Sequence, residues 1–374
     1  MSVVVMLTVL GSGFNHSAPE LVGQLKAGLS LWGYLVLLPL AVGLTIDDAG
    51  DGVRLVAMLS VVSVSALTSF YVFGDVGFGV SRSTLLVAPE FSIGSAAGEV
   101  TRHIGQIHLN FNRTQVGTVL ASLGATLWVL VLIVRSHRMP FLLGFVACVY
   151  LFSQTASIGS SAACIAGIVV ASAAYMRTGR PGKKSTRLFA VAAVLTLSAV
   201  LVFSQTENIF MNRTAAKVVE FDEVGIDRSD VWMDGLRAIA QAPFGEGFSW
   251  RTGHSDWVVF TLGYGWLAGM FLILGVARLL GFLWREVSSV GTNGLQDAQL
   301  LLLGLAPLVS YALNAVLDMP SANFGYFQTI WCLILTPTAV AAVLIGSRWR
   351  AMAALTRRKQ VSVARASQRI SVSK

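Results

Sequence analysis

Long apolar runs broken by short polar stretches set the pattern of this chain. They lie near Ala27 to Ile46, Val53 to Phe73, Gln115 to Val134, Pro140 to Gln154, Ile158 to Tyr175, Leu188 to Ser204, Asp256 to Leu280, Ala298 to Leu317 and Tyr326 to Gly346. Most approach or exceed the ~18 residues with which an α-helix crosses a hydrocarbon core. None alternates with period two, as the strands of a membrane barrel would. Backbone polar groups in lipid must be satisfied within the protein, so helices are the remaining solution. The expected fold is all-α: a polytopic membrane protein of about nine to ten transmembrane helices within residues 1–346, with a large outer loop carrying a short amphipathic helix. The fourth and fifth runs are short and joined by a tight turn at Ser153 to Gly159, which leaves tilted or re-entrant segments open. Met1 to Phe14 is apolar but has no leading basic residues, so it is not read as a signal peptide; a trimmed span and an interfacial segment both remain open.

Composition agrees with lipid as the main solvent. The chain is 55% hydrophobic and only 12% charged, against roughly a quarter charged in soluble domains. Its net charge of +8 would suit nucleic acid, but much of the excess sits in residues 347–374, where Arg348, Arg350, Arg357, Arg358, Lys359, Arg365, Arg369 and Lys374 follow the last apolar run. A basic tail beside a span fits anionic cytoplasmic lipid better, and no nucleic-acid partner is expected. The same sign rule orients the spans. Arg135 and Arg138 mark one inner loop, Arg177, Arg180, Lys183, Lys184 and Arg187 the next, and Arg278 and Arg285 a third. Gly74 to Thr114 and Gln205 to His254 then become the two long outer loops, and the expected location is a bacterial inner membrane with a periplasmic active face and a cytoplasmic tail. Cys148, Cys164 and Cys332 fall inside apolar runs without metal spacing and read as small buried hydrophobes. His103 and His108 also lack metal partners, so neither a metal nor a cofactor is expected.

The outer loops hold the candidate chemistry. Arg82, Arg102, Arg213 and Arg251 read as hydrated loop charges, whereas Arg228 directly precedes Ser229 to Gln241, a sequence with Ser229 as N-cap and Trp232, Leu236 and Ile239 on one apolar stripe. A guanidinium at the positive end of a helix dipole makes a composite anion site. Arg237, nine residues on, lies about 180° around the helix, so it would not grip the same phosphate. Pro243 ends this helix, and Gly245 and Gly247 allow a tight turn with close backbone approach to a ligand. His254 then stands beside the next span, where a neutral imidazole can accept a proton from a hydroxyl near neutral pH. From composition alone, an ordinary interfacial hydrogen-bonding role is the simpler account of it. In the first loop, Asn112 and Arg113 lie at the mouth of the third span, where an arginine can snorkel to the surface.

The run from Arg228 through Trp232, Pro243, Gly245, Gly247 and His254 into Trp257 to Gly269 resembles the signature of the O-antigen ligase and polysaccharide polymerase superfamily. Asn110 to Val116 resembles that family's asparagine and arginine motif, and Thr155, Ser157 and Gly159 its following turn. The chain departs from the family pattern at Ile158, where a basic residue is common, and at Ser255, where asparagine is common. The resemblance implies a metal-independent membrane glycosyltransferase: a donor glycan on undecaprenyl diphosphate, a glycan or glycolipid acceptor, and other polysaccharide-assembly proteins as neighbours. It assigns Arg228 and Arg113 to the diphosphate and His254 to the acceptor hydroxyl, with Arg237, Trp232, Gly245, Gly247 and Asn112 as substrate-binding candidates. Three other readings stand beside it. A lipid flippase or transporter would show mid-membrane charge or paired broken helices. An intramembrane serine protease would need Ser160 within reach of His254. A non-catalytic assembly protein would need neither.

Overall fold

The computed structural model describes residues 37–46, 48–77, 113–134, 138–155, 158–178, 228–241, 243, 245, 255–289, 295–317, 334 and 336–344. Among these residues all regular structure is helical. In chain order the helices are α1 Leu38–Thr45, α2 Ala49–Gly77, α3 Arg113–Ile133, α4 Arg138–Thr155, α5 Ile158–Arg177, α6 Arg228–Gln241, α7 Asp256–Tyr264, α8 Trp266–Ser289 and α9 Leu295–Leu317, followed by a helical stretch over 336–344.

The expectation of nine to ten transmembrane helices is corrected here. Among the described residues four helices are long and apolar enough to cross a membrane: the segments Ala49–Ser69 of α2, Val116–Ile133 of α3, Gly159–Arg177 of α5 and Asp297–Val316 of α9. α4 supplies a shorter apolar helix, Arg138–Phe152. The run Asp256 to Leu280 is not one helix. It breaks at Gly265, which has φ 86° and ψ 162°, outside any helical conformation. Thr261 and Gly269 would stand about 12 Å apart in a continuous helix, yet a Cβ on Gly269 would collide with the Thr261 side chain. The chain therefore bends sharply, and the nine residues of α7 reach only about 13 Å, short of a bilayer. The expected runs over 27–36, 188–204 and 326–333 lie outside the described residues.

α3 is the axis of the bundle. Its sequence is apolar all round, and a helix without a polar face has no side to give to water. Every residue of its span Val116–Ile133 is buried, and α2, α4, α5 and α9 pack around it. Small residues let the axes approach. A Cβ on Gly167 of α5 would stand 2.7 Å from the Ala306 carbonyl oxygen of α9 and 3.1 Å from Ala125 Cβ of α3, so only glycine permits this three-helix contact. Gly124 is packed in the same way against Cys164 and Cys148, both free and buried, in keeping with their reading as small hydrophobes. α2 lies outside the axis and turns Met58, Leu59 and Val62 outward, as a lipid-facing helix would.

Cross-helix contacts fix the directions. Thr118 meets Asn314 and Trp128 Nε1 donates to Ser172 Oγ at 2.9 Å, so α3 and α5 run together and α9 opposes them. Gly52 of α2 touches Leu300 in the first turns of α9, and the Arg177 guanidinium at the end of α5 stacks 4.9 Å from the Trp284 ring centroid of α8. One end of the bundle thus gathers Arg54, Arg138, Arg177 and Arg285. The other gathers the starts of α3, α5 and α7 and the end of α9. At the basic end, Asp48 Oδ1 accepts from the Asp51 amide at 2.8 Å, which caps α2 and makes the acidic turn a helix start.

Candidate functional site

The end opposite the basic cluster is tied together by two consecutive residues of α9. Asn314, fully buried, donates through Nδ2 to Thr118 Oγ1 at 2.6 Å and to Ser160 Oγ at 3.3 Å. Its neighbour Ala315 accepts, through its carbonyl oxygen, a hydrogen bond of 3.0 Å from the Ser255 hydroxyl. Thr118 lies one turn and a half inside the helix that begins at Arg113, Ser160 lies in the first turn of α5, and Ser255 is the chain neighbour of His254. Three segments far apart in sequence are therefore held at one bundle end. Trp257 adds an edge-on contact with Tyr311, ring centroids 6.3 Å apart, one turn deeper in the bundle than Asn314.

A second connection brings in α6. Gly235 packs so closely on α7 that a Cβ there would stand 2.5 Å from Val258 Cγ1. The Pro243 carbonyl oxygen then accepts from the Trp266 amide at 3.1 Å, the first free N–H of α8. Gly245, at φ 88°, fits into the bend itself: a Cβ would lie 2.5 Å from Gly263 O and 2.6 Å from Gly265 N. Contacts advance in step, 235 with 258 and 243 with 266, so α6 runs beside α7 in the same direction. Seven residues at ~1.5 Å each carry Arg228 about 10 Å back from Gly235, whereas the N-terminus of α7 is only about 3 Å back from Val258, so Arg228 lies roughly 7 Å beyond the start of α7.

Arg228 is the first residue of α6, so the helix starts a residue earlier than the sequence pattern places it and Ser229 lies inside it. Of the apolar stripe, Leu236 is about half exposed, at 53%, and Ile239 is half-buried, while Gly235 is the buried contact to α7. The reason is steric: the helices meet where the side chain is smallest, which turns the large residues outward. Arg237 is exposed and pairs with Asp234 at 2.9 Å. That engagement on the open face separates it from the α7 contact.

The placement of the remaining candidates is uneven. Arg113 begins α3, Trp232 lies in the second turn of α6, and Gly245 is docked in the α7–α8 bend. Asn112, Gly247 and His254 lie outside the described residues, as do the 78–112 part of the first outer loop and the tail 347–374; residues 74–77 of that loop form the end of α2. Ser160, the serine of the protease reading, is buried against Asn314. The sequence pattern overlooked Asn314 and Thr118, and it marked Pro243 as a helix end and Ser255 as a departure from the family pattern without the contacts they make here. Asn314 carried a usable signal, an amide inside the apolar run 298–317, where a polar group has to find a partner on another helix. Among the described residues no group of three or more His, Cys, Asp or Glu side chains is arranged to hold a metal ion.

In comparisons with known proteins, no family model and no curated protein matches the chain. The functional reading therefore has to be built from this geometry and from the resemblance carried by the residues.

Proposed function

We propose that this chain is a membrane-embedded glycosyltransferase that moves or polymerises glycans carried on a lipid diphosphate, undecaprenyl diphosphate in the resemblance described above. The bundle end holding Asn314 is its working, extracytoplasmic face, since the basic residues at the opposite end suit the cytoplasmic side. The observation that carries this reading is the pair of bonds from Asn314 and the one to Ala315, which draw the segments following Arg113, the 155–159 turn and His254 to one bundle end. The parallel course of α6 brings the segment headed by Arg228 toward that same end.

The chemistry follows from the residue types. The acceptor hydroxyl oxygen attacks the anomeric carbon of the donor glycan and passes its proton to the His254 imidazole. The bond from the anomeric carbon to the diphosphate oxygen breaks, and that electron pair leaves with the lipid diphosphate. Its growing charge is met by the Arg228 and Arg113 guanidiniums, and by the unpaired amides at the start of α6. Fixed charges beside the bilayer are worth more than the same charges in bulk water. Asn112, Trp232, Gly245 and Gly247 shape the surroundings of the glycan, while Arg237, paired with Asp234, lies toward the periphery.

Among the described residues, the Gly265 bend is the feature that favours a transporter, because broken helices expose backbone groups to cargo. Here the first amide of α8 is already taken by Pro243, which favours a structural bend over a cargo site.

Reconstituted protein given a prenyl-diphosphate-linked oligosaccharide and an acceptor glycan is expected to release prenyl diphosphate and form a longer glycan. Arg228→Ala and His254→Ala are expected to lower the rate at least about a hundredfold, within the range of a lost general base or oxyanion donor. A wild-type protein that forms no product, or variants that keep the wild-type rate with normal insertion, would sink this assignment.

A further inference from the structure

Several helical hydroxyls among the described residues satisfy themselves in one way, and Ser122 and Ser310 do not. Ser60 donates to Val56 O, Thr126 to Ser122 O, Thr261 to Trp257 O and Thr338 to Ile334 O, each turning back four residues onto its own helix at 2.6 to 2.8 Å. This is the ordinary way for a helical hydroxyl in an apolar setting to satisfy itself. Ser122 Oγ of α3 and Ser310 Oγ of α9 are fully buried and have no hydrogen-bond partner among the described residues. An orphaned hydroxyl in low dielectric is destabilising, so leaving two where a back-bond was available needs a reason.

Register places the two serines opposite each other. α3 and α9 run antiparallel through the Thr118–Asn314 bond. One turn further along each helix, four residues forward from Thr118 and four back from Asn314, stand Ser122 and Ser310. The next layer closes the seam: the point where a Gly167 Cβ would sit is 3.1 Å from Ala125 Cβ, 3.3 Å from Ser310 Cβ and 2.7 Å from Ala306 O. The hydroxyls thus lie between a polar cap, formed by Asn314, Thr118 and Ser160, and a floor of small residues.

We infer that Ser122 and Ser310 form a two-sided site for a buried water molecule, which bridges α3 and α9 one helical turn beneath the Asn314 cluster. Water is the guest because the two groups are neutral, each can donate or accept, and no charge is present in this layer to favour an ion. Buried waters in folded proteins take two to four such bonds from groups otherwise unsatisfied. The site owes nothing to the proposed transfer reaction. It ties the central helix to α9 through a molecule rather than through side-chain contact.

Two measurements test it on the full-length protein. Equilibrium unfolding in mixed micelles is compared for wild type, Ser122→Ala, Ser310→Ala and the double variant. With a shared water, each single variant is expected to raise the unfolding constant roughly threefold to tenfold, because the partner serine and the water lose a bond. The double variant is expected to be no worse than the weaker single, since the site is then abolished as a unit. Singles that are neutral or stabilising, or effects that simply add, would overturn the inference. Coupling could also come from direct contact between the serines, so a high-resolution experimental density map provides the second arm. Density for one oxygen within about 3 Å of both hydroxyls is expected; the two Oγ atoms in direct contact, or no such density at a resolution that shows waters elsewhere, would end the proposal.

Discussion

Asn314 shows how much organisation a single polar side chain can carry inside an apolar bundle. Its amide reaches two hydroxyls on two different helices. Replacement by leucine keeps the volume roughly constant and removes both bonds. Thr118 and Ser160 can then turn back onto their own helices, so the full penalty for orphaned groups does not apply. Interhelical bonds in membranes average below 1 kcal/mol and reach about 1.7, so Asn314→Leu is expected to destabilise by about 1 kcal/mol in the same unfolding assay. Its effect on glycan transfer is expected to be larger than that loss of stability implies, because the segments bearing Arg113 and His254 lose their common anchor. Equal, proportionate losses of activity and stability would assign Asn314 to packing alone.

At the scale of elements, the α7–α8 bend and the loop wedged into it form the part of the fold least evident in the chain. Asp256 to Leu280 is one uninterrupted apolar run, and hydropathy alone makes it one span. The break arises from Gly265 at a positive φ and from Gly245, a distant residue whose bare backbone fits against it. Neither circumstance has a hydropathic signature. By contrast, α2, α3, α5 and α9 were legible because length and apolar content alone define them, and α6 because its caps and polar face were local. The stripe on α6 misled, since a pattern reports which residues are apolar and not which one is small enough to touch. Gly245→Ala is expected to expel the loop: the added methyl meets Gly263 O and Gly265 N, and the backbone there is strained for any L side chain. The variant should become more sensitive to limited proteolysis between α6 and α7 and lose transfer activity, while α3 and α9 stay folded. Wild-type protease resistance would show that the wedge is not what holds α6 in place.

For the whole molecule, the two ends of the bundle differ in kind. Among the described residues, Arg54, Arg138, Arg177 and Arg285 collect at one, while the other joins the neutral Asn314 cluster to the helix starts that carry Arg113 and Arg228, a division readable in the sequence only as loop charge but visible in the structure as a common level. A cysteine-scanning experiment in a Cys332→Ser background checks the assignment of sides. Cysteines introduced at Thr155 and Leu317 are expected to react with a membrane-impermeant maleimide on intact cells, and those at Arg54 and Ser288 only after permeabilisation. Native Cys148 and Cys164, both buried, are expected to stay silent throughout. The reverse pattern would place the Asn314 end in the cytoplasm and remove the case for an extracytoplasmic transferase.

The enclosure of α3 has a mechanical result. Bilayers vary in thickness, and a helix bathed in acyl chains must tilt or shift to match them. α3 is wrapped by protein along its whole span, so it meets no acyl chains and such pressure reaches it only through its neighbours. The outward-facing α2 takes up the mismatch first, while the helix that leads from Arg113 to Thr118 keeps its height relative to α5 and α9.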